Sequence, residues 1–220
     1  MSSQIQGLVD NRRDVAAATA GNPESSSSGK KRLTGIVGLN LLLEGGFPEG
    51  TTIMVHGTAV SGLDLAALQF VAAGAEDEGT YLRAEDIINH EKDDSAEIKP
   101  EMFLMQMAGS RIVVDSVTAI IERYGIDDAL TLLRLLKEDV QKTSANLMFL
   151  VFAGIHTPLE MTKLMREADI VIEFRCDTHQ AEIERTLAVH KIKNAAAPQR
   201  LLPFIITDKG IEASTTSRVV

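Results

Sequence analysis

The chain has 220 residues, with 31 acidic against 22 basic side chains and a formal net charge of −9. That length suffices for one α/β domain with a proper core. The acidic balance disfavours broad electrostatic binding to nucleic acid or to an acidic membrane, and with no Trp and only two Tyr no base-stacking platform is expected. Cys176 is the only cysteine, so no intrachain disulfide can form, which fits a reducing compartment. No stretch approaches about 18 uninterrupted apolar residues and the N-terminus has no apolar signal core, so a cytoplasmic protein without a membrane-inserted segment is expected.

Residues 1–32 read as a disordered polar leader, because Asn22-Pro-Glu-Ser-Ser-Ser-Ser-Gly-Lys-Lys-Arg has no means of burying a core. A single domain is expected over 33–220. It opens with a short helix closed by Gly45-Gly46, and a Pro48/Gly50 turn feeds a buried strand at 53–55. A loop follows from Gly57 to Gly62, then a helix from Asp64 with Leu65, Leu68, Val71 and Ala72 at helical spacing. A strand at 81–84 leads into Glu85-Asp86. Residues 87–101 read as charged and irregular, and 102–107 as a short strand or buried segment.

Residues 110–116 form the clearest buried strand of the middle, ending on Asp115. Acids at Asp127-Asp128 start a helix to about residue 143. Its apolar arc, from Leu130 to Val140, is wide enough to wedge the helix between the sheet and a neighbour, or to serve an interface. The strand at 146–153 lacks alternation, as expected when both faces are covered. A helix at 159–167, strands at 169–174 and 185–193, and a terminal hairpin at 203–212 complete the chain. Strands alternating with helices imply an α/β fold, a mainly parallel sheet with helices on both faces and a C-terminal antiparallel hairpin.

The stretch Gly57-Thr58-Ala59-Val60-Ser61-Gly62-Leu63-Asp64 organises the functional reading. A working phosphate-binding loop runs Gly, four residues, then Gly-Lys-Ser/Thr. The glycine spacing is kept, but Leu63 stands where the Lys belongs and Asp64 where the hydroxyl belongs. The missing Lys removes charge-assisted hydrogen bonds worth roughly 1.5–3 kcal/mol each. A carboxylate at a helix N-terminus occupies the place a phosphate would take, although Asp64 as a plain N-cap needs no nucleotide. Like charges at contact add about 1–4 kcal/mol. The combined loss is roughly 3–6 kcal/mol, or about two to four decades of affinity.

Four motifs in order carry a resemblance. They are Thr34-Gly-Ile-Val-Gly-Leu-Asn with Gly45-Gly-Phe-Pro, then Leu68-Gln69-Phe70, then Arg111-Ile-Val-Val-Asp115-Ser116, and last Lys191-Ile-Lys193 with Pro203-Phe. Together they resemble KaiC-like domains of the RecA ATPase superfamily over about residues 33–213. The resemblance implies a P-loop NTPase fold that stacks into rings or filaments with nucleotide between subunits. Carried over, Asp115 would sit near magnesium through water, and Glu85 with Asp86 would hold the catalytic water. Lys191 and Lys193, two apart and so on one strand face, would reach a neighbour's site.

Three departures touch nucleotide chemistry: the altered loop, a short segment between Asp86 and Arg111, and Asn-Ala-Ala-Ala after Lys193. His56 and His156 lie near strand ends without metal-ligand spacing and read as structural. Ser61 and Ser116 have no adjacent base. The expectation is a catalytically degenerate pseudo-ATPase, with no cofactor, that binds a protein partner: a KaiC/RecA-like ATPase or another copy of itself. The alternative is an unorthodox ATPase that uses ATP and Mg at a subunit interface. A DNA-recombination accessory is disfavoured by charge.

Overall fold

The computed structural model describes residues 30–74, 79–90, 97–179 and 182–213. The sequence-predicted leader therefore lies, for residues 1–29, outside the described residues. Lys31–Arg32, read from sequence as its end, form β1 and pair antiparallel with β2, Phe47–Pro48. Helix α1, Val37–Leu42, lies between them.

The centre is β3, Thr52–Gly57, buried at every position. After it come helix α2, Leu63–Ala72, strand β4, Thr80–Arg83, and two short helices, α3 at Ala84–His90 and α4 at Pro100–Leu104. Strand β5, Arg111–Asp115, precedes α5, Val117–Tyr124, and the long α6, Ile126–Thr143. Then follow β6, Asn146–Phe152, α7, Pro158–Glu167, and four strands in antiparallel sequence: β7, Ile170–His179, β8, Glu182–Ile192, β9, Leu202–Thr207, and β10, Gly210–Ala213.

All but β1 and β2 join one eight-stranded sheet in the order β10-β9-β8-β7-β3-β6-β5-β4. The five strands from β7 to β4 are parallel, with β3 between β6 and β7. The expected class, a mainly parallel sheet with an antiparallel C-terminal hairpin, is what forms. Strand alternation splits the core in two. Met54 faces the cluster under α3 to α7, with Val114, Leu147 and Phe149. Ile53 and Val55 face the other, with α1, α2 and the C-terminal strands.

Several local expectations give way. Residues 84–90 are helical, not a loop followed by irregular chain, and Glu85 and Asp86 sit in the helix's first turn, where acids suit its dipole. Residues 100–104 are a helix with Pro100 at its start; of the strand or buried segment expected at 102–107, no strand forms and Phe103 is the buried part. Helix α5 had no counterpart in the sequence reading; Ser116 caps it by accepting from the Ala119 N–H. Most of the apolar arc of α6 is core: Leu130, Leu132, Leu133, Leu136 and Val140 are at most 5% exposed, so the helix is wedged against the sheet, and of the arc only Leu135, 38% exposed, reaches solvent.

One buried charge ties the start of the central strands. Asp169, 3% exposed, accepts from the Thr52 N–H and hydroxyl, both at 3.0 Å, and from Lys137 Nζ at 2.8 Å. Burial works to raise its pKa, but the Lys137 and Thr52 hydrogen bonds outweigh it and hold the carboxyl below its ordinary value. A buried ion pair that loses one member leaves the other uncompensated. Asp169→Ala is therefore expected to cost about 3 kcal/mol in urea unfolding, with Lys137→Met in the same background recovering part of the loss.

Candidate functional site

The loop after β3 is shaped by its own packing. A Cβ on Gly57 would lie 2.4 Å from the Phe174 carbonyl oxygen and 2.6 Å from Ser61 Oγ. Gly62 has φ +92°, a left-handed conformation that suits glycine, and a Cβ there would press on Ile206. Ser61 is fully buried; its Oγ donates to the Thr58 carbonyl at 2.7 Å and its N–H to the same oxygen at 3.0 Å. Thr58, Ala59 and Val60 face solvent. At least one loop amide is thus spent on the loop itself.

Leu63 is 2% exposed and belongs to the apolar cluster of β3, β7, α2 and the C-terminal strands. Asp64 is exposed in the first turn of α2 and makes no capping hydrogen bond; the N-cap position is Gly62. The expectation of Asp64 as N-cap is corrected: the left-handed Gly62 bends the chain one residue before a side chain could cap. Gln69 then fastens α2, its side chain accepting from the Ile211 N–H at 2.7 Å and donating to the Ile211 and Gly35 carbonyls.

Asp115 ends β5, and Tyr81 on β4 donates its hydroxyl to Asp115 Oδ2 at 2.6 Å. Burial raises the Tyr81 pKa well above the usual phenol, helped by Asp115 and by the charge of Asp64. Two carboxylates, Asp115 and Asp64, therefore act on Tyr81 at the loop end of the sheet. Sequence spacing had not marked Tyr81, because 34 residues separate it from Asp115 and only strand pairing joins them. The Thr118 hydroxyl, in the first turn of α5, accepts from the N–H of Phe152, the residue paired with Gly57, and bonds His156 Nε2 at 2.9 Å.

Glu85 and Asp86 are exposed at the same end of the sheet. The strand that leads into them, β4, is three positions from β3, about 14 Å across at the usual strand spacing. Glu85 lines a cleft of about 310 Å³ between α3 and α5 with Ile88, Asn89, Ala119, Glu122 and Arg123.

Lys191 and Lys193 lie at the other end. Lys191 pairs with Val171 near the start of β7, and the Lys193 N–H donates to the Asp169 carbonyl. That end is about 17 Å from the loop along the strands. Lys191 Nζ donates to the carbonyls of Met165, at 2.9 Å, and Ala168 at the end of α7; Lys193 Nζ sits 3.3 Å from Asp169 Oδ1. Burial holds the Lys191 pKa below its ordinary value. Within one copy neither lysine meets the loop. Among the described residues, no group of three His, Cys, Asp or Glu side chains could hold a metal ion.

A second cluster went unread in the sequence. His56, just before the loop, is 6% exposed and stacks on His190 at 6.2 Å between ring centroids. Glu173 accepts from Arg175 Nε and from His190 Nε2, both at 2.7 Å. His56 Nε2 has no hydrogen-bond partner among the described residues.

Residues 76–218 match the model of the Family of unknown function (DUF7125), and the chain belongs to that family. It is similar to a UPF0273 protein of Thermotoga maritima, 24% identical over 83% of this chain and 95% of that one. Among solved structures it is similar to a KaiC-like protein from the hyperthermophilic archaeon Pyrococcus horikoshii. The TM-score is 0.68 and the identity 23%, over 84% of this chain and 99% of that one. The chain thus shares the fold of that KaiC-like protein. No helix among the described residues is long and apolar enough to cross a membrane.

The pH response of this end follows from His56. Burial lowers its pKa from 6.5; Glu173 pulls it back up, while His190 and Arg175 lower it further. The folded state therefore binds the proton less readily than the unfolded chain. The stability this gives is present above pH 6.5 and is lost as pH falls from there towards the folded value. Unfolding midpoints measured between about pH 7.5 and 5.5 should fall for the wild type, and His56→Gln should flatten that slope.

Proposed function

We propose that this member of the DUF7125 family is a KaiC-like domain that no longer grips a triphosphate and acts as a regulatory docking module. The observation that carries the reading is the burial of Leu63, 2% exposed at the position where a phosphate loop needs a solvent-facing lysine. Asp64 adds a carboxylate where the outer phosphates would lie. The Tyr81 hydroxyl already bonds Asp115, the residue that would neighbour magnesium. Ser61 turns its amide into the loop. Each change removes a favourable contact or adds a repulsive one, and none disturbs the packing that holds the loop's shape. The partner is a protein of the same cytoplasmic compartment, and its recognition does not depend on MgATP.

A ligand at one hundred times its dissociation constant stabilises the folded state by about 2.7 kcal/mol. Wild-type protein should show no such rise in melting temperature at millimolar MgATP. Leu63→Lys with Asp64→Thr should gain one, since the glycine frame is in place. A clear rise in the wild type, abolished by Asp115→Ala, would favour an ATP-binding domain instead.

A further inference from the structure

The end of the sheet that bears the loop also bears aliphatic side chains in water. Residues 58–60 leave β3 and residues 153–155 leave β6 side by side, because Gly57 pairs with Phe152 and the Ala153 N–H donates to the Gly57 carbonyl at 2.8 Å. Val60 on the first segment is 69% exposed and Ile155 on the second 56%. Leu159, in the first turn of α7, is 67% exposed. Single exposed aliphatics are ordinary, but several on adjoining loops with a charged rim mark a docking surface. The rim here is acidic on balance: Asp64, Glu85, Asp86 and Glu122 are exposed, against Arg83 and Arg123.

We propose that this end of the sheet docks a basic amphipathic segment of a partner protein. Its aliphatic face would cover Val60, Ile155 and Leu159, and its lysine or arginine heads would reach Asp64 and the Glu85-Asp86 pair. A helix of roughly 16 residues is about 24 Å long, enough to span the strands between them. The proposal rests on the reading that no triphosphate occupies the loop. A second copy stacked end to end is the less suitable occupant. Its lysines at the opposite end are committed, Lys191 to the carbonyls closing α7 and Lys193 to Asp169.

The test is an amide-shift titration of the isotope-labelled full chain with a synthetic amphipathic peptide of roughly 16 leucines and lysines, and with its leucine–glutamate counterpart. The lysine peptide should shift amides at 58–64 and 153–159, and the glutamate peptide should not. Val60→Asp and Leu159→Asp should each weaken binding at least about tenfold. Met105→Asp, at an 85% exposed side chain elsewhere, should leave it unchanged. Shifts elsewhere, equal binding of both peptides or indifference to the two variants would overturn the docking surface. So would concentration-dependent self-association, seen by sedimentation, that protects the same amides. MgATP added alone separates the two claims. Loop shifts caused by it would end the lost-nucleotide reading, while the peptide footprint would still decide the docking surface.

Discussion

The packing of Leu63 against the sheet sets the geometry of the loop end. An aliphatic side chain at the first position of α2 has no polar end to return to solvent, and burying it is worth about 2–3 kcal/mol. Leu63, Ala66, Ala67 and Phe70 form the inner face of α2 at helical spacing, all at most 3% exposed. Gln69 holds the outer side of the same helix to β10 and to Gly35. With α2 so fixed, the loop between it and β3 has little freedom. Gly57 is required by the Phe174 carbonyl and Gly62 is favoured by its left-handed φ, whether or not a phosphate is ever bound. Glycine spacing alone is thus a poor witness to nucleotide chemistry here.

Charge is distributed along the strands in a matching way. At their start, Lys137 and Lys193 converge on one buried carboxylate, Asp169, and Lys191 satisfies the last carbonyls of α7. At their finish stand Asp64, Asp115, Glu85 and Asp86, spread across the strands from β3 to β4, with exposed Arg83 among them. A triphosphate needs cations at the finishing end, and within one copy the three lysines are at the other. The same polarity suits a cationic partner.

Much of this was legible in the sequence, for physical reasons that differ by element. β3, β5 and β6 are buried on both faces, so unbroken apolar runs announce them. α6 is long and starts with two acids, which fixes both its type and its beginning. The short helices were harder. α3 opens on Glu85-Asp86, acids that read equally as a loop or as a first turn. α4 is too short to show a helical period, and Pro100 at its head is its one local start signal. In the candidate site, Leu63 and Asp64 could be read directly, because they are substitutions within a known spacing. That Leu63 is buried, that Gly62 rather than Asp64 holds the cap position, and that Tyr81 closes on Asp115 depend on strand pairing across tens of residues. No local pattern encodes that pairing.

The most direct measurement is a crystal structure of the full chain grown with magnesium and a non-hydrolysable ATP analogue in millimolar excess. The account predicts that Leu63 stays buried, that Tyr81 keeps its hydrogen bond to Asp115, and that no ordered triphosphate lies against the backbone of residues 57–62. A triphosphate cradled by those amides, with Asp64 turned aside and magnesium beside Asp115, would contradict it.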